Sequence, residues 1–137
     1  MKETLKNEVN IYREYYKDFE YWIIRPKVMT PIRKSKSLHL CGYVVIPKDS
    51  EYYISDNCDD FDIECHGCLT YSGGLDYLSI PFCIGFDCNH PCDISELKPE
   101  HFLNSNAKYR DVAFVRSECK SIINQLINKF KVKPRKN

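Results

Sequence analysis

Residues Tyr109 to Lys131 read YRDVAFVRSECKSIINQLINKFK. Val112, Val115, Cys119, Ile122, Ile123, Leu126 and Phe130 recur at three- and four-residue spacing, which places them in one apolar stripe on an α-helix. Arg116, Lys120, Gln125, Asn128 and Lys129 fall largely elsewhere on its surface. Asp111 suits the positive end of the helix, and it or an upstream Asn can cap the first turn. A stripe this wide needs a partner layer, so the rest of the chain must supply one.

Upstream, LHLCGYVVIP (Leu38 to Pro47) is rich in β-branched and aromatic residues and stops at a proline, as a strand does. FDIECHGCLTY (Phe61 to Tyr71) alternates in part, with Asp62, Glu64, His66, Cys68 and Thr70 on one face. SGGLD reads as a turn, and YLSIPFCIGFDC (Tyr77 to Cys88) as a third strand. At the N-terminus, Leu5, Val9, Tyr12, Tyr16 and Phe19 follow helical spacing between charged residues, which predicts a helix over 1–25. The expected fold is α+β: a small antiparallel sheet of about three or more strands, packed with an N-terminal helix and a long C-terminal helix. One domain covers 1–137, with an α+β core over 37–131 and a basic tail over 132–137 that reads as frayed and solvated.

The net charge of +1 implies no general attraction to nucleic acid or to a membrane. No stretch has the roughly 18 apolar residues of a membrane span, and no apolar signal core opens the chain. The expectation is a cytoplasmic protein whose eight cysteines are mostly reduced.

Two clusters carry candidate chemistry. Cys65-x-x-Cys68 and Cys88-x-x-x-Cys92 have near zinc-ribbon spacing, with His66 and His90 as spare ligands. A continuous strand through IECHGCLTY would oppose this, because it would point Cys65 and Cys68 to opposite faces. Alternatively, His66, Asp87, Cys88, His90 and Asp93 could serve as a catalytic set, through a thiolate beside a histidine or a divalent metal that activates water. Against both stands a structural reading, in which the aspartates cap turns and the histidines are hydrogen-bonded. Arg110, beside Tyr109, could pair with Asp87 or Asp93 or bind an anion.

HGCLTYSGG, IGFDCNHPCD and YRDVAFVRSEC, with CGYVVIP upstream, resemble the motifs of a family of small, mostly uncharacterised phage and prophage proteins. The similarity runs from about Cys41 to Cys119. His66, Tyr71, Asp87, Cys88, His90, Asp93, Tyr109, Arg110 and Glu118 fall on the family pattern, whereas Cys68 and Cys92 stand where it has small residues. The resemblance implies that a four-cysteine zinc site is not a family feature, so no cofactor is favoured and zinc or another divalent metal is the alternative. It implies a phage or prophage accessory protein that acts by binding a host protein or ribonucleoprotein complex in the host cytosol. Inhibition of a defence system such as a CRISPR effector is one such role, with Tyr71, Tyr109 and Arg110 as binding candidates. The alternative function is a small metal-dependent hydrolase or nuclease. Asp87, His90, His66 and Arg110 are expected to form one polar network at the strand ends, mainly structural in role.

Overall fold

A computed structural model describes residues 8–29, 34–36, 39–53, 61–89, 93 and 108–134. Among these residues, seven strands and one long helix are formed: β1 (Ile11–Tyr16), β2 (Phe19–Ile24), β3 (Lys27–Met29), β4 (Lys34–Lys36), β5 (Cys41–Val45), β6 (Tyr71–Leu75), β7 (Ile80–Asp87) and α1 (Val112–Phe130). Five strands make one antiparallel sheet in the order β1-β2-β5-β7-β6, and β3 and β4 form a separate hairpin. This is the expected α+β class, with the long C-terminal helix in place.

The N-terminal helix is not formed: residues 11–24 are a β-hairpin. Lys17 and Asp18 make its two-residue turn, both with positive φ (49° and 67°), the backbone of a type I′ connection whose twist matches the strands. Ile11, Tyr12, Tyr15, Tyr16, Phe19, Tyr21, Trp22, Ile23 and Ile24 are β-branched or aromatic and favour a pleated surface. The spacing of four between Tyr12 and Tyr16 fits a strand face as well as a helix face, and the turn supplies the step of three to Phe19. Leu5, also counted in that pattern, lies outside the described residues.

The middle of the chain shifts as well. Phe61 to Thr70 is irregular, and the alternating stretch turns at His66–Gly67. Cys68 N–H donates to Cys65 O at 3.0 Å, and Gly67 and Cys68 have φ of 67° and 68°. The next strand is YSGGL, the segment expected to be a turn. Its glycines serve close approach: a Cβ on Gly74 would lie 2.9 Å from Pro81 O. β7 runs unbroken from Ile80 to Asp87 and pairs with both β5 and β6.

α1 packs on one face of the sheet. Val112, Val115, Cys119, Ile122, Ile123 and Leu126 interlock with Phe19, Tyr21, Ile23, Val44, Ile46, Phe82, Ile84 and Phe86. Gly42 is required here, because a Cβ would meet Phe86 Cε1 at 2.6 Å and Cys119 Sγ at 2.8 Å. Asp111 caps the helix, its Oδ1 accepting from Phe114 N–H at 2.9 Å. At the other end Lys131 turns left-handed (φ 55°) and Val132 N–H donates to Leu126 O at 3.0 Å, which closes the last turn. That closure folds Val132 into the core, so the basic tail starts docked rather than frayed. Arg116 grips Glu14 with two bonds of 2.8 Å, tying β1 to α1 and holding the Glu14 carboxyl below its ordinary range.

Candidate functional site

The chemistry-bearing residues gather at one end of the sheet, where β7 finishes, β5 begins and α1 starts. Register places Asp87 opposite Cys41 and Cys41 opposite Ile24. Asp93 forms a parallel bridge with Lys108, which brings it to the N-terminus of α1. The turn at His66–Gly67 is held to the same helix, because His66 N–H donates to Glu118 Oε1 at 2.7 Å and Gln125 bonds the Glu64 backbone.

Asp93 is the hub. His66 Nε2 lies 2.8 and 3.0 Å from its two carboxylate oxygens, and Arg110 Nε donates to Oδ1 at 2.8 Å. The ionised carboxylate can only accept, so Nε2 carries the proton of the shared bond. The Asp93 side chain is 0% exposed, against 14% for His66 and 21% for Arg110. Phe114 braces both partners: the His66 ring meets it edge-on at 5.1 Å and the Arg110 guanidinium lies 4.9 Å over its centroid. The expected network of Asp87, His90, His66 and Arg110 is therefore amended: Asp93, not counted in it, joins His66 to Arg110. Asp87 accepts from Thr70 Oγ1 (3.2 Å) and Asn89 N–H (3.1 Å), an Asx-type closure of the strand end. His90 lies outside the described residues.

A second buried cluster adjoins the first. Glu8 pairs with Arg25 at 3.0 Å, accepts from the Tyr109 hydroxyl, and receives Val112 N–H at 2.8 Å. Tyr109, a binding candidate, is thus a strut between β2 and the start of α1. Tyr71, another binding candidate, donates its hydroxyl to Gly74 O and packs edge-on against Tyr43 on the sheet face away from α1.

Among the described residues, the buried thiols are held protonated. Burial pushes Cys65 and Cys83 up to about 12 and raises Cys88, which is 1% exposed. Cys65 and Cys68 lie on a turn, so the alternation that opposed their joint ligation does not apply. Cys65 packs against the core, Cys68 is exposed, Cys88 is buried on β7's end, and Cys92 lies outside the described residues. Among the described residues no three His, Cys, Asp or Glu side chains come together as a metal-binding group.

His39, passed over in the sequence as a strand residue, is buried beside these clusters. Burial holds its pKa below the usual 6.5, and Asp87 and Asp93 only partly oppose that. The folded state therefore resists protonating it more than the unfolded chain does. Stability should be complete above pH 6.5 and decline as pH falls below it, separately from the loss of the Glu14–Arg116 bond below pH 4.5. Unfolding free energy measured against pH should show both steps, and His39→Gln should remove the first.

Among the described residues no helix is long and apolar enough to cross a membrane. Comparison with protein-family models, with curated proteins and with solved structures found no match to the chain in any of the three.

Proposed function

We propose that the protein acts by binding, as an accessory protein of phage or prophage type that engages a host protein or ribonucleoprotein complex, a CRISPR effector being one such target. The observation that carries the binding half of this reading is the closure of the His/Asp/Cys cluster. Asp93 has no exposed side-chain surface and is held by His66 and Arg110, Asp87 closes a strand end, and Cys88 is buried. A catalytic carboxylate or thiol needs reach to a substrate atom, and these groups are occupied within the fold. The phage assignment rests on the resemblance of the HGCLTYSGG, IGFDCNHPCD and YRDV motifs. Six described cysteines, all free thiols, suit a reducing cytosol.

Among the described residues, the sheet face away from α1 and the adjoining edge strand β1 offer a surface to a partner. Three of the four large apolar side chains that stand exposed among the described residues, Val9, Ile11 and Tyr15, lie on or next to β1. Crosslinked capture from host lysate by the full chain tests the reading. Recovery of a discrete host complex by the wild type, lost in Ile11→Ser/Tyr15→Ser at an unchanged melting temperature, is expected. Turnover of a phosphoester in the presence of a divalent metal, abolished by His66→Ala in a folded protein, would instead favour the hydrolase.

A further inference from the structure

Cys65, His66, Gly67 and Cys68 close one four-residue turn. Cys68 N–H donates to Cys65 O at 3.0 Å, and Gly67 at the third position has φ of 67°, as a type II turn requires. Such a turn brings its first and last Cα atoms within about 7 Å of each other. A disulfide spans Cα atoms about 4.4–6.8 Å apart, so the turn sets the two cysteines at bridging reach. A charge on Cys68 is felt at the Cys65 thiol, which agrees with two sulfur atoms near one another. The two settings differ. Cys65 is half-buried and packs against the core, whereas Cys68 is exposed. Cys41, Cys83, Cys88 and Cys119 are each 7% exposed or less, so Cys68 is the most open of the described thiols. Its backbone is unusual as well: φ is 68°, in the left-handed region that only about a few per cent of residues other than glycine enter.

We propose that Cys65 and Cys68 form a reversible dithiol site, which exchanges with low-molecular-weight disulfides of the glutathione class and closes a disulfide across the turn. Cys68, through its thiolate, attacks one sulfur of R–S–S–R. A Cys68–S–S–R bond forms, and R–S⁻ leaves and takes up the proton that Cys68 gave up. The Cys65 thiol then attacks Cys68 Sγ, the Cys65–Cys68 bond forms, and the second R–S⁻ leaves with the Cys65 proton. Two protein thiols are oxidised and one disulfide is reduced to two thiols, so no further oxidant is needed. The order of attack follows from the two settings. Burial, with charges on Glu118 and Cys68 adding to it, holds Cys65 protonated, so the exposed sulfur attacks and the shielded one resolves. Two cysteines can also share a turn with no such role. Cys68 argues against that case, because neither core packing nor an easy backbone accounts for a cysteine there, and strained positions gather where residues act. The same turn holds the polar cluster, through His66 N–H on Glu118 and the His66 ring on Asp93. Closing the bridge would fix that turn, so the oxidation state of the pair bears on the cluster. The proposal goes beyond the binding reading and does not need it.

Cleavage after Glu64 and Asp76 releases a peptide whose two cysteines are Cys65 and Cys68. The full chain, reduced and then equilibrated with graded ratios of oxidised to reduced glutathione, is quenched with acid, alkylated in denaturant, cleaved and weighed. Loss of both alkyl groups from that peptide, at a mass two hydrogens below the dithiol and reversed by dithiothreitol, is expected. Cys65→Ser should trap glutathione on Cys68, and Cys68→Ser should leave Cys65 unmodified. In urea the point of half-oxidation should shift to a higher ratio, because the turn no longer holds the two thiols together. Cys68 is exposed, so its variant keeps the test valid should Cys65→Ser unfold. Two alkylated thiols at every ratio, a bridge from either cysteine to a third, or glutathione left on wild-type Cys68 with no closure would each overturn the proposal. So would modification of Cys65 in Cys68→Ser at the wild-type rate, or a half-oxidation point that urea does not move.

Discussion

Leu126→Ala should lower the unfolding free energy by about 3–5 kcal/mol, with equilibrium urea denaturation as the check. Leu126 is 0% exposed and central in the stripe that α1 lays on the sheet. Its carbonyl also receives Val132 N–H at the helix C-terminus, so the last turn cannot readily collapse into the vacated space. Close-packed interiors relax only in part around a deleted side chain, which adds a cavity cost to the lost transfer energy. A loss below about 0.5 kcal/mol, the range of ordinary surface substitutions, would mean that the stripe faces something other than the core.

Asp93→Asn should cost about 3 kcal/mol, the lower end of the range for removing one partner from a buried charge cluster. The lower end applies because Arg110 and His66 keep 21% and 14% of their side-chain exposure and can rehydrate. Asparagine keeps one acceptor oxygen where the carboxylate offers two, so Arg110 and His66 compete for it and Arg110 loses the charge assistance of its 2.8 Å bond. A wild-type melting temperature in Asp93→Asn would contradict this. Asp87→Asn should cost less, since its bonds to Thr70 and Asn89 are longer, at 3.2 and 3.1 Å, and lie at an exposed strand end.

What could be read before the structure follows from how each signal arises. The period of α1 and its Asp111 cap are local, and both appear as expected. The N-terminal hairpin was hidden because spacings of four suit a helix and a strand alike, and because Lys17–Asp18 is not the Asn-Gly type that marks a two-residue turn. The strand at Tyr71–Leu75 was hidden for the opposite reason: its glycine pair suggested a turn, whereas those glycines admit a bulge and the close approach of β7. Three residues of the polar cluster, His66, Asp93 and Arg110, were named from their residue types and motifs, and the pairing of Arg110 with Asp93 was among the possibilities. Asp93 was left out of the expected network because His66 was placed on a strand beside Asp87, whereas the turn at His66–Gly67 carries it to Asp93. The burial of His39 beside the polar clusters depends on register between distant strands, which no local pattern encodes.

The structural role of the polar cluster is tested most directly by a double-mutant cycle in urea between His66→Ala and Asp93→Asn. His66 also touches Phe114, and the cycle cancels that contact because it is common to both Asp93 backgrounds. A coupling free energy of about 1–3 kcal/mol is expected for two side chains in one buried hydrogen-bonded network. Costs that add to within about 0.5 kcal/mol would contradict it and would leave His66 and Asp93 available for chemistry instead.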